Sequence, residues 1–146
     1  MTAAPHPAHL CLPAETAALT AAQAFLEACL GDSGLDTASA SRLALALEEV
    51  FVDICHYGYP EGDPGTIELR AWGEDDRFVL EIADQGRPFD GQSLPDPDVE
   101  ASLEDRPIGG LGWYLVRRMV STLEYQRRDG CNVTRLVMTR TGPGRT

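Results

Sequence analysis

Residues 48 to 53 read Glu-Glu-Val-Phe-Val-Asp, three carboxylates set into a run that is otherwise apolar as far as Ile54. On a helix advancing about 100° per residue, Leu43, Leu47, Val50 and Ile54 form one seam. Leu45 and Val52 lie opposite and Phe51 fills a flank, so the helix is apolar nearly all round and belongs mostly inside. Glu49 and Asp53, one helical turn apart, share a narrow stripe of it. Like charges at this spacing repel by about 0.2–0.5 kcal/mol on an exposed helix and by more where water is scarce. A solvated edge of the helix tolerates such a pair; a site in which a cation and a reacting group occupy the stripe makes use of it. Mg²⁺ suits the second arrangement, because it takes one or two carboxylates plus substrate phosphates and needs no full protein cage. Glu49 would then be free to act as a base. Glu48 points away from the stripe and reads as a surface or capping residue.

Two glycine-bearing stretches carry further chemistry. In EIADQGRPFDG, residues 81–91, Asp84 closes a strand two residues before Gly86, which can turn the backbone sharply. A carboxylate fixed at a strand end can accept a hydrogen bond from the exocyclic amine of a base, with Gly86 leaving room for the ring; D-x-G is also a common turn. In IGGLGWYLVRR, residues 108–118, Gly109, Gly110 and Gly112 run into a helix N-terminus, whose free N–H groups and dipole favour an anion. Glycines at loop–helix junctions are common as well.

Composition narrows the partners. The formal net charge of −11 argues against nucleic acid, whose phosphates are held by clustered cations. All twelve basic residues are Arg, so the phosphate-binding Lys of a Walker A loop and of the eukaryotic-type kinase site is absent. Any phosphate here is held by Arg, backbone N–H groups or metal. Cys11, Cys29, Cys55 and Cys131 are far apart and form no C-x-x-C pair, which predicts buried free thiols; His6, His9 and His56 are equally scattered. No apolar run approaches the roughly 20 residues that span a bilayer, and the first residues lack a basic, then apolar, secretory signal. A soluble, cytoplasmic protein without membrane contact is the expectation.

The elements that must position these residues follow from periodicity. An extended entry around His9 to Leu12 precedes a helix that Pro13 can start and Gly31 can stop. Asp36 or Thr37 can cap a second helix running to about Tyr57. Alternation over Thr66–Trp72 and Arg77–Ala83 predicts a hairpin; Leu111, Leu115, Met119 and Val120 return to helical spacing; Asp129-Gly130 turns a second hairpin from Leu123–Arg127 to Val133–Arg140. The order β-α-α-β-β-(lid)-α-β-β predicts one domain over residues 1–146, a two-layer α/β sandwich with helices on one face of a mixed, mainly antiparallel sheet. Its core spans about 10–140, with a lid at about 91–109 and a loose tail at 141–146.

In this order, the three stretches resemble the Bergerat-fold, or GHKL, ATPases, and within them the short serine/threonine kinases that act as bacterial anti-sigma factors. The family's E-x-x-x-N box is similar to Glu49-Val50-Phe51-Val52-Asp53, its D-x-G-x-P-F-D box to Asp84–Asp90, and its G-x-G-L-x-L box to Gly110-Leu111-Gly112-Trp113. The resemblance covers about residues 10–140, and the stretch from Asp84 is its most specific piece. It implies ATP and Mg²⁺ as cofactors, Glu49 as the general base toward a protein serine, Asp84 on the adenine amine, and Gly86, Gly110 and Gly112 as points of close backbone approach. Asp53 would hold Mg²⁺, although the family places Asn there; a carboxylate adds charge for the metal and repulsion toward the triphosphate. Arg87 and Arg106 are lid-side candidates for phosphate, and Thr134 for the base region. Arg117 and Arg118 sit inside the following helix, where at most one can face a nucleotide.

The implied partners are a sigma factor, which the protein sequesters, and a STAS-domain antagonist, which it phosphorylates; a homodimer is also implied. A nucleotide-gated binding module without transfer activity is the alternative. A sensor histidine kinase catalytic domain shares the fold but requires a phosphoacceptor helical hairpin, for which the residues ahead of the carboxylate helix leave no room.

Overall fold

Period-two alternation in residues 66–84 and 122–139 closes into one five-stranded sheet. The computed structural model describes residues 7–60, 62–88 and 110–140, with side chains from residue 113 onward in the last segment. Its strands are β1 (Ala8–Pro13), β2 (Thr66–Gly73), β3 (Arg77–Asp84), β4 (Thr122–Arg128) and β5 (Cys131–Thr139). Their order is β1-β2-β3-β5-β4, and each described pairing is antiparallel. The β4–β5 turn has both Asp129 (φ 53°) and Gly130 (φ 80°) left-handed, the backbone that a two-residue Asp-Gly hairpin requires.

Inward-facing Ile67, Leu69, Phe78, Leu80, Ile82, Leu136 and Met138 are buried under the helices α1 (Leu19–Leu30), α2 (Thr37–Asp53) and α3 (Gly110–Met119). From α2, Leu43, Ala46, Leu47, Val50 and Phe51 complete that core. The expectation that α2 is covered nearly all round is corrected: α2 packs against α1, α3 and the sheet, and Leu45, half exposed, lies on the side that none of them covers. On the opposite face of the sheet, Val79 and Val137 are register partners and both are buried. Beside them Trp72 packs under the Arg135 guanidinium, 5.5 Å from its ring centre.

Helix starts and stops differ from the periodic reading in two informative places. Pro13 ends β1 instead of starting α1: Ala14 N–H donates to Gly65 O at 2.8 Å, holding the chain on the sheet, and a 3₁₀ turn at Thr16–Ala18 then leads into α1. Asp36 does cap α2, its carboxylate accepting from Ser39 N–H at 2.7 Å. The helix keeps its α geometry only to Asp53, and Ile54–Gly58 forms a wider π turn. Single π turns are found at functional sites, and this one carries Tyr57 and Gly58 to the site described below.

The cysteines also differ from expectation. Cys11 is exposed on the edge strand β1, and Cys29, Cys55 and Cys131 are half-buried, all as free thiols. Partial burial still pushes the Cys55 thiol up to about 11, so it stays protonated at neutral pH. No described helix is long and apolar enough to cross a membrane. The anticipated lid at 91–109, the tail at 141–146 and Arg106 lie outside the described residues.

Candidate functional site

Asp84 is the last residue of β3, paired in register with Asn132 on β5. Asp84 is 6% exposed, and its Oδ1 accepts from Gly86 N–H at 2.8 Å and from the Asn132 amide at 3.0 Å. Among the described residues no bond goes to Oδ2, which leaves that oxygen for a ligand. Burial pushes the Asp84 carboxyl above its ordinary range; the two hydrogen bonds and the Arg127 charge oppose the shift.

Asn132 organises the turn around it. Its amide also donates to Arg87 O at 2.8 Å, and its carbonyl oxygen accepts from the Tyr125 hydroxyl and from Arg127 Nη1, the latter at 3.1 Å. The same Arg127 nitrogen donates to Gly86 O at 2.8 Å. From the helical side, Gly58 O accepts Arg87 N–H at 2.9 Å. Tyr59 donates its hydroxyl to Thr66 O at 2.6 Å and accepts Gln85 N–H at 2.8 Å. The turn of residues 84–87 is thus tied to β5, to β2 and to the π turn after α2.

Asp53 ends α2, and its Oδ2 accepts the indole N–H of Trp113 at 3.0 Å. Burial again raises the carboxyl above its ordinary range, against the Trp113 bond and the charges of His56 and Arg87. Glu49, one turn earlier, is half-buried. Glu48 accepts from Gln23 at 3.0 Å, tying α2 to α1 and leaving the stripe to the other two carboxylates.

These pieces meet around a cavity of about 470 Å³. Asp53, Asp84, Arg87 and Thr134 line it together with Ile54, Tyr57, Gly58, Pro88, Trp113 and Asn132. The volume lies within the roughly 300–1,000 Å³ usual for small-molecule sites, and the mixture of apolar walls with a few polar groups is usual too. Glu49 does not line this cavity. It lines an adjoining one of about 230 Å³, with Val52, His56 and Val116, and the two cavities share Asp53, Tyr57 and Trp113 as a common wall. Gly110 and Gly112 lie in the first turn of α3, immediately before Trp113.

The residues fit a magnesium nucleotide on their own chemistry. Among the described residues no group of three His, Cys, Asp or Glu could cage a metal, whereas Asp53 offers one carboxylate beside a ligand-sized cavity. Mg²⁺ is bound in that way, by one or two carboxylates plus phosphates and water. Asp84 Oδ2, in the same cavity, can receive a base amine.

Several site residues were not singled out in the sequence. Asn132 carries a signal, since it and Thr134 are polar at inward positions of a strand that continues with Leu136 and Met138. Trp113 and Tyr57 carry none, being indistinguishable from core aromatics at helical spacing. Gly58 read as a helix stop.

Comparison with known proteins extends over the same elements. The family described as histidine kinase-like ATPase domain matches residues 12–138. The serine/threonine-protein kinase BtrW of Bordetella bronchiseptica is 34% identical over 90 residues, which cover 62% of this chain and 63% of that protein. The serine-protein kinase RsbW of Halalkalibacterium halodurans is 28% identical over 92 residues, covering 60% of this chain and 56% of that one. The matched segment thus spans about three fifths of these curated relatives. The crystal structure of the RsbU and RsbW domains of Rv1364c from Mycobacterium tuberculosis superposes with a TM-score of 0.63 at 20% identity, covering 93% of this chain and 33% of that one. That likeness shows the fold, the two-layer α/β sandwich of helices on one sheet face. The family match takes in the carboxylate helix, the Asp84 turn and α3 together, and the chain belongs to the histidine kinase-like ATPase domain family, within which it is similar to the RsbW and BtrW serine kinases.

Proposed function

We propose that the protein is an ATP-dependent serine kinase of the cytoplasm, acting as a homodimer that sequesters a sigma factor and phosphorylates a STAS-type antagonist. One observation carries the reading: Asp53 and Asp84 line a single cavity, while Glu49, one helical turn before Asp53, lines the cavity beside it. In this reading Asp84 Oδ2 receives the adenine amine, Asp53 holds Mg²⁺, and Thr134 closes the wall beside the base. Gly110 and Gly112 leave the first turn of α3 open to phosphate oxygens, with Arg87 and Arg106 as cations on the lid side. Bound Mg²⁺ supplies neutralisation of the phosphate charge. Glu49 would take the proton of the incoming serine hydroxyl from the smaller, adjoining cavity. The names of the relatives, serine kinases of bacteria, support the same reading.

The test is incubation with γ-labelled ATP and a STAS-domain protein. Stable phosphoserine on that partner is the expected product. Glu49→Ala should lower transfer by about 10²–10⁴-fold, the usual share of a general base, while calorimetry shows ATP affinity retained. Asp53, in the position where the family pattern has Asn, favours one second reading, a nucleotide-gated module that binds its partner without transfer. ATP binding with no phosphoserine on any such partner would select it.

A further inference from the structure

The bond between Trp113 and Asp53 has a consequence for the metal. Trp113 is 4% exposed, which holds its indole in place, and Asp53 stands on helical backbone (φ −61°, ψ −43°) at the end of α2. The indole N–H occupies Asp53 Oδ2 at 3.0 Å. Among the described residues Oδ1 takes no hydrogen bond, and Asp53 faces both cavities. An ion at this position therefore meets one oxygen free of hydrogen bonds and one whose lone pairs are already shared with the indole. Mg²⁺ accepts that readily, since it holds near-ideal octahedral geometry with single oxygens and water; Ca²⁺ takes six to eight oxygens and often both of a carboxylate.

We propose that Trp113 is a positioning residue that caps one oxygen of Asp53 and so restricts the nucleotide-bound cation to one-oxygen coordination, selecting Mg²⁺ over Ca²⁺. The inference rests on the ATP-binding reading above. The Trp113–Asp53 pair offers the ion the single oxygen that an asparagine would offer, with the charge of a carboxylate added. Replacing the indole frees the second oxygen, and the discrimination between the two ions falls.

Calorimetric titration of the full chain with ATP in excess Mg²⁺ or excess Ca²⁺ tests this. The wild type should bind the magnesium complex more tightly, and Trp113→Phe should shrink the ratio of the two affinities by about tenfold, the scale of a hydrogen bond to a charged group. A buried Trp also supports packing, so the same substitution is repeated in Asp53→Asn, whose amide has no second oxygen to free. There it should leave the ratio unchanged. Trp72→Phe, on the far face of the sheet, leaves Trp113 as the only indole of the two; its N–H proton should stay protected from exchange when MgATP is added. Equal changes in both affinities on Trp113→Phe, the same change of ratio in the Asp53→Asn background, or an indole proton that loses protection on MgATP addition would each overturn the proposal. A wild type that binds neither complex overturns the nucleotide reading itself and this proposal with it.

Discussion

A side-chain carbon on Gly86 would lie 2.3 Å from the carbonyl oxygen of Gly58. The turn after β3 and the π turn after α2 are therefore packed backbone against backbone, and Arg87 N–H donates to that same oxygen at 2.9 Å. Through this contact the segment carrying Asp84 is placed against the segment carrying Asp53. Gly86 acts by what it leaves out.

Gly86→Ala tests that contact. The Cβ would also stand 2.9 Å from Asp84 Oδ1, so the turn has to move away from both the carbonyl and the carboxylate. Overpacking of this kind costs about 1–3 kcal/mol. Urea denaturation should show a loss of that size, and calorimetry a clear fall in ATP affinity.

Asp84→Asn separates recognition from stability. The folded pKa of Asp84 is raised above its ordinary 3.8, so the folded state holds the proton more tightly than the unfolded chain does. The ionised carboxylate therefore costs stability at neutral pH; the cost shrinks as pH falls through the folded value and is gone below 3.8. An amide at this position keeps an oxygen for Gly86 N–H and Asn132 and carries no charge. The variant should be more stable than the wild type at pH 7, with the difference closing as the pH is lowered. Its ATP affinity should fall by about tenfold or more, because the acceptor facing the base has become a donor. Thermal unfolding across a pH series and calorimetry with ATP read the two effects separately.

Which parts of this were legible in the sequence follows from the range over which each signal acts. Alternation in residues 66–84 and the Asp-Gly turn at 129–130 are local, and both hairpins formed where they were read. Asp36 announced the start of α2 by type alone. The residues flanking the carboxylates were less legible, because their partners are remote: Asn132 meets Asp84 across 48 positions and Trp113 meets Asp53 across 60. Nothing in the local pattern around Trp113 distinguishes an indole that packs from one that donates. The π turn was hidden for a related reason, since apolar spacing through Ile54 fits an α-helix equally well, and the wider turn shows only in what Gly58 reaches. Likewise the sequence put Glu49 and Asp53 on one stripe, but only the fold shows that Asp53 faces both cavities and Glu49 only the smaller one.

Tyr59→Phe examines how the turn is held from the β2 side. The hydroxyl donates to Thr66 O at 2.6 Å and accepts Gln85 N–H at 2.8 Å, bridging two backbone segments with one oxygen. Removing it leaves both groups to water, since both bonds are exposed, at a cost of about 0.5–1.5 kcal/mol, that of an ordinary hydrogen bond. Chemical denaturation should show this loss, and amide exchange at Gln85 should accelerate more than exchange in the centre of β3. Unchanged exchange at Gln85 would mean that the hydroxyl does not hold the turn.

Asn132→Asp turns the hub against itself. The new oxygen would replace the amide that donates to Asp84 Oδ1 at 3.0 Å and to Arg87 O at 2.8 Å, leaving two carboxylates in contact inside a buried site. Such a pair shares a proton, and its titration belongs to both groups together. Stability should drop at neutral pH by at least the about 1–3 kcal/mol of an unmade buried bond. It should recover as pH falls, because protonation in the folded state restores a donor between the two oxygens. Asp84→Asn combined with Asn132→Asp reverses the polarity of the pair and returns one donor and one acceptor to the register position. That double variant should regain most of the neutral-pH stability lost in Asn132→Asp. ATP affinity should not return with it, because the carboxylate that would receive the adenine amine now sits one strand away from the turn that frames it. Recovery of stability and affinity together would show that only the count of charges matters at this site, and would remove Asp84 from base recognition.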